Sequence, residues 1–288
     1  MRDVVDQLKV SFWYETIRHQ TKFESTYQIE KYYEEKFGSN NSSNYFRNKW
    51  RKYKLGLHTP RKELIEQIGN EIPESATIIN HPLWHLLKNP DSVKENSHNI
   101  VAQLPLKVST IFFKSLLVQK DGFYYLVYLN DTLFTQDSNK ILECSPLDSL
   151  CAFVIYSHLD KFRPRDALRL LYMALLMFGV ECHNNGMVHI AIGLFEILKE
   201  KIFTNGVWLD EEYKSSLKSI IPDAELTHLS FNTKANYYLL QIEYLNHCTL
   251  VLFPKARNKM KAMRQILMGE MNEEYLVEFS PNFECTFV

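Results

Sequence analysis

The sequence predicts a mostly all-α protein: an N-terminal helix-turn-helix-like part, then a larger irregular helical domain, with room for one short β-hairpin. Three observations carry this. Apolar residues recur at spacings of three and four through segment after segment. Nine glycines and ten prolines are few for 288 residues, which favours long helices over the many tight turns of an all-β design. Short clusters of Ser, Asn, Asp, Gly and Pro fall between the segments, where helix caps belong.

Residues 3–20 carry Val4, Val5, Leu8, Phe12, Trp13 and Ile17 close to a helical stripe. Residues 24–37 set Tyr27, Ile29, Tyr32, Tyr33 and Phe37 among Glu24, Glu30, Lys31, Glu34, Glu35 and Lys36, and Gly38 with the polar run 39–43 ends that helix. Residues 44–56 follow as a basic helix. Tyr45, Phe46, Trp50 and Tyr53 share one side of it at helical spacing, which predicts a buried aromatic seam and an outward basic face stopped by Gly56. Thr59-Pro60 reads as an N-cap and first helical position for residues 60–69, whose Leu64, Ile65 and Ile68 face inward.

Residues 71–75 read as a loop and 82–87 as a short apolar helix opened by Pro82. The polar, turn-rich stretch 88–99 is the expected boundary between domains at 1–90 and 100–288. Val108 to Val118 reads as a short helix or strand. Asp121-Gly122 is a hairpin signal, yet residues 123–129 lack clean alternation and lean helical in a helix-rich chain. From Ser145 on, helices are expected at 146–160, 164–180, 187–203, 209–220, 233–253 and 254–268, with a docked tail at 271–288. These lengths and short connections are those of a helical bundle serving dimerisation or partner binding.

Composition narrows the function. A formal net charge of −1 gives the whole chain no bias toward polyanions or membranes. The distribution is uneven: Arg47, Lys49, Arg51, Lys52, Lys54, Arg61 and Lys62 fall between positions 47 and 62 with no acid among them, while Glu270, Glu273, Glu274 and Glu278 cluster near the end. Five widely spaced cysteines without a Cys-x-x-Cys pair speak against a disulfide framework or zinc ribbon and for reduced thiols in a cytoplasmic protein. Met1 to Leu8 has no apolar core of a signal peptide. The most apolar run, 170–180, is shorter than the roughly 20 residues a bilayer needs.

No phosphate-cradling glycine loop, Gly-x-Ser-x-Gly elbow or Walker motif occurs. Cys182-His183 with His189, and His247-Cys248, lack the density of a zinc site. His81 and His85 share an i, i+4 face without the intervening Glu of a metalloprotease, so His81 at a helix start and His85 exposed is the plainer reading. Asp131, Asp137 and Glu143 near Lys140 are read as surface charge.

Residues 24–69 thus run helix, polar turn, basic helix, Gly-containing turn, helix, which is helix-turn-helix order. Trp50, Gly56, Pro60, Leu64 and Ile68, with Phe37-Gly38-Ser39 as the preceding turn, resemble in part the second half of the Cro/repressor-type (XRE-like) helix-turn-helix family. The spacings from Gly38 to Trp50 and from Trp50 to Gly56 are longer than that family's. The resemblance covers about a sixth of the chain. It implies DNA binding.

The expected function is therefore that of a non-enzymatic DNA-binding protein, a regulator or accessory subunit of a nucleoprotein complex. Arg47, Lys49, Arg51, Lys52 and Lys54 would meet phosphates, Arg61 and Lys62 would extend the basic surface, and Asn44 or Asn48 would reach a base edge. Two alternatives stand beside it: a helical adaptor with an acidic protein partner, and an RNA-binding subunit. The second domain would bind another protein or a second copy. No cofactor, metal or membrane is expected.

Overall fold

Helix α1 (Val4–Thr21) is a wall shared by two hydrophobic clusters. Val5, Leu8 and Phe12 enter the larger cluster, while Val10, Trp13, Tyr14 and Ile17 repeat the three- and four-residue spacing on another face and enter the smaller one. A helix apolar on both sides must be buried on both sides. Asp3 caps it by accepting from the Val5 N–H at 2.7 Å. The computed structural model describes residues 2–37, 43–112, 117–120, 123–126, 135–159, 164–203, 242 and 245–246.

The smaller cluster is closed by α2 (Thr26–Phe37), α3 (Ser43–Lys54), α4 (Lys62–Glu71) and α5 (Pro73–Ile79), through Ile29, Tyr33, Trp50, Tyr53, Ile68 and Ile79. Two expectations are corrected here. Helix α4 begins at Lys62 with Arg61 before it, not at Pro60, because the Thr59 hydroxyl is engaged by Arg2 (Nη2 to Oγ1 2.7 Å) instead of capping. Residues 71–75, read as a loop, instead carry the start of α5, with Pro73 in its first turn, where a missing N–H costs nothing.

Beyond it come α6 (Leu83–Lys88), a 3-10 turn (Pro90–Ser92), α7 (Val93–Val101) and α8 (Leu106–Phe112). The stretch 88–99, expected as a polar connector, is thus mostly helical. Val93, Ser97, Ile100 and Val101 are buried at helical spacing, which polar neighbours hide in the sequence. The larger cluster draws on both sides of position 90, joining Leu83, Trp84 and Leu87 to Leu150, Phe153 and Leu171.

Strands β1 (Leu117–Lys120) and β2 (Phe123–Leu126) pair antiparallel from Leu117↔Leu126 to Lys120↔Phe123, so Asp121-Gly122 lie between their ends. The helical leaning of 123–129 is corrected over 123–126. A β-favouring Phe-Tyr-Tyr run beside an Asp-Gly turn signal outweighs the helix-rich context.

Helices α9 (Thr135–Leu142), α10 (Pro146–Leu159), α11 (Pro164–Asn184) and α12 (Val188–Lys201) complete the described fold. The α10–α11 pair is its most extensive helix–helix contact, and α12 returns to α1. Residues 171–180 of α11 are all buried, as an apolar run of that length in a core helix requires. No helix among the described residues is long and apolar enough to cross a membrane. The helices expected at 209–220, 233–253 and 254–268 and the tail 271–288 lie outside the described residues, save Ile242, Leu245 and Asn246, which are helical.

A polar staple joins the two sides of the larger cluster. The Leu83 N–H donates to His81 Nδ1 (3.2 Å), which leaves Nε2 to donate to Asp148 Oδ1 (3.1 Å). The Ser145 hydroxyl donates to Asp148 Oδ2 (2.6 Å), and the Asp148 N–H donates back to Ser145 Oγ (3.3 Å), the side-chain cap of α10. His81 is buried and His85 exposed, as the sequence suggests. Asp148→Ala is expected to cost about 2 kcal/mol in urea denaturation, because it strands a buried imidazole N–H and opens the cap of α10. A loss below about 0.5 kcal/mol would remove the staple's energetic role.

Candidate nucleic-acid interface

What presents the basic helix is a stack of rings. Phe37 stacks on Tyr33 (centroids 5.5 Å, 16° between planes), Tyr33 on Trp50 (5.3 Å, 14°), and Trp50 on Trp13 (6.0 Å, 9°). Tyr53 meets both tryptophans edge-on at 5.6 Å. Three helices, α2, α3 and α1, are thereby held by one aromatic ladder, and the expected seam is buried at Trp50 and Tyr53. Burial pushes the Tyr33 phenol far above its usual range, with Glu71 adding to the effect, so this hydroxyl stays neutral. At the ladder's rim, Lys36 pairs with Glu71 (2.6 Å), and hydrogen bonding to that carboxylate raises the Lys36 pKa.

The C-terminal end of α3 is pinned as firmly. The Leu57 N–H reaches the Lys52 carbonyl (2.8 Å) and the Gly56 N–H the Tyr53 carbonyl (2.9 Å), a Schellman closure with Gly56 in the left-handed region at φ +66°. Arg2 Nη1 donates to the Gly56 carbonyl at 2.7 Å, and the Ser11 hydroxyl to that of Lys54.

With the seam inward, Arg51, Lys52 and Lys54 are exposed at the end of α3, and Arg61 and Lys62 are exposed where α4 begins. Lys62 lies 3.7 Å from Glu66, an exposed pair that holds it weakly. Lys49 is half-buried. Asn44, Arg47 and Asn48 belong to the α3 backbone, while their side chains lie outside the described residues. Arg51, Lys52 and Lys54 are thus exposed together at the end of α3, and Arg61 and Lys62 are exposed further along the chain.

Two open cavities of about 410 Å³ each border the end of α3. The first is lined by Thr26, Tyr27, Glu30, Arg51, Lys54 and Leu55. The second shares Lys54 and Leu55 and adds Glu15, Arg18 and His189. Glu15 is buried, paired with Arg18, and has His189 at 3.6 Å. Sequence reasoning missed Tyr27 as a surface group: it counted Tyr27 in the apolar stripe of α2, yet Tyr27 is 60% exposed and the inward residues are Ile29 and Tyr33. The signal was there, since 29, 33 and 37 form a run at i, i+4 that excludes 27.

The other candidate sites separate. Cys182 is buried, His183 Nδ1 lies 3.4 Å from Asn246, and His189 faces Glu15. His247 and Cys248 lie outside the described residues. Among the described residues no group of three or more His, Cys, Asp or Glu is placed to hold a metal. Burial raises the pKa of the Cys144, Cys151 and Cys182 thiols, the opposite of what a nucleophile needs. Asp137 is buried with Lys140 at 3.6 Å, Glu143 lies 3.7 Å from Lys107, and Asp131 falls outside the described residues. The chain matches no family model, no curated protein and no solved structure.

Proposed function

We propose that the protein binds DNA without catalysis, meeting phosphates through the outward face of α3. One observation carries this: Arg51, Lys52 and Lys54 are exposed on a helix whose other side is locked by the aromatic ladder, and no acid occurs from 47 to 62. A fixed row of cations holds its geometry before the polyanion arrives, and it releases counterions when it binds. The helix order α2–α3–α4 and the exposed Arg61 and Lys62 support the same reading. Arg47, Asn44 and Asn48 would continue the contact toward the start of α3, with an Asn on a base edge. The remaining helices would bind a second copy or another protein, in a regulator or a nucleoprotein assembly.

A second reading has its own observation. Leu55 and Leu57 are 52% and 54% exposed beside the same cations, which suits an adaptor taking an acidic partner with apolar residues.

The test is binding of the purified protein to a labelled duplex of about 20 base pairs at about 100 mM salt. Arg51→Ala/Lys52→Ala/Lys54→Ala is expected to lower affinity at least about tenfold and to reduce the slope of log affinity against log salt by about three. Absence of binding by the folded wild-type protein would end the DNA reading and leave the adaptor. Competition by structured RNA distinguishes the third class.

A further inference from the structure

We propose that Tyr27 stacks on an unpaired base of a DNA strand whose adjoining phosphates lie on Arg51 and Lys54, so that the protein prefers the point where a duplex opens into a single strand. The inference rests on the DNA reading above and deepens it.

Among the described side chains of α2 and α3, Tyr27 is the aromatic without a ring partner. Tyr32 and Tyr33 meet edge-on at 5.0 Å, Phe37 stacks on Tyr33, and Trp50 and Tyr53 belong to the ladder. The Tyr27 side chain makes no ring contact or hydrogen bond among the described residues and is 60% exposed. A single exposed tyrosine is ordinary on a protein surface. Its company sets this one apart. Arg51 and Lys54 line the same cavity of about 410 Å³, both are exposed, and neither has an ion pair among the described residues. Leu55 adds apolar surface that is 52% exposed. Glu30 also lines the cavity, but it is 5% exposed, its Oε1 has essentially no accessible surface and it is engaged within the fold. It supplies wall and no ligand contact.

Cations that follow the backbone beside an aromatic face that takes bases are the pairing that holds single strands. Every base has a flat face, so this contact is indifferent to sequence. It is not indifferent to pairing. Within a duplex both faces of a base are covered by the neighbouring base pairs, and only a base released from the stack can lie on Tyr27. The paired part is left to the phosphate contacts of α3, while Tyr27, on the adjoining helix α2, takes an unpaired base beside them. An acidic peptide would satisfy the cations but brings no base. The decisive comparison therefore keeps the phosphates and removes the bases.

Three labelled substrates sharing one paired part test this: blunt, with a thymine tail of about five nucleotides, and with an abasic tail of the same length, the tails made in both strand polarities. Wild-type protein is expected to bind the thymine-tailed duplex of one polarity about tenfold more tightly than its abasic counterpart, which carries the same phosphates. Tyr27→Ala, a change at an exposed residue, should erase that ratio while leaving affinity for the blunt duplex unchanged. Tyr27→Phe should keep it, because the ring and not the hydroxyl makes the contact. Equal wild-type affinity for thymine and abasic tails in both polarities overturns the proposal, while binding of the blunt duplex upholds the α3 reading. A preference that survives Tyr27→Ala, or disappears in Tyr27→Phe, overturns the proposal too. Binding of the tailed duplexes without the blunt one removes the duplex reading and keeps the tyrosine site. Failure to bind any of the substrates removes both.

Discussion

Trp50→Ala is expected to cost about 4 kcal/mol of stability, in the range for deleting a large buried aromatic side chain. Trp50 is 3% exposed and lies at the centre of the ladder, stacked between Tyr33 and Trp13 with Tyr53 at its edge. Its removal takes its ring contacts with Trp13, Tyr14, Tyr33 and Tyr53 with it and leaves a void that α1, α2 and α3 cannot all close, because each is held elsewhere in the fold. Without Trp50 the ladder keeps α3 only through Tyr53, while Arg2 and Ser11 still hold the helix end, so if α3 meets DNA as proposed, affinity should fall with stability. Urea denaturation with Tyr27→Ala as the exposed control checks the first part. That control should lie within about 0.5 kcal/mol of wild type. A loss below about 1 kcal/mol for Trp50→Ala would mean that the ladder does not hold α3.

The ladder is also where the sequence was most legible. Trp50 and Tyr53 are three apart, Tyr33 and Phe37 four apart, and Trp13 and Ile17 four apart, so each helix displays its buried face in its spacing. What spacing does not reveal is which faces meet. The cavity of Tyr27, Glu30, Arg51 and Lys54 exists because α2 and α3 lie together, and neither helix carries a motif for it. Helix α7 was hidden for another reason. Only Val93, Ile100 and Val101 are apolar in Val93–Val101, and its helicity depends on the tertiary core it joins. The start of α4 was misplaced because a local cap signal, Thr59-Pro60, lost to a long-range partner, Arg2. Local rules work where the competing contact is local.

Gly56→Ala is expected to destabilise by about 3 kcal/mol, for two reasons that a second glycine separates. At φ +66° an alanine incurs the left-handed penalty of about 1–2 kcal/mol. Its methyl would also lie 2.2 Å from the Gln7 carbonyl oxygen and 2.7 Å from Gln7 Cα, both backbone atoms of α1 that cannot swing aside. Overpacking of that kind adds about 1–3 kcal/mol. Gly186, at φ +68°, closes α11 in the same way: the Met187 N–H reaches the Cys182 carbonyl at 2.7 Å. There, among the described residues, a methyl meets nothing nearer than Arg18 Nη2 at 3.9 Å. Gly186→Ala should therefore lose only the backbone part, about 1 kcal/mol. The difference between the two variants measures the close approach of α3 to α1. If both lose the same, the Gln7 contact yields without cost, and Arg2, Ser11 and the aromatic ladder hold the end of α3.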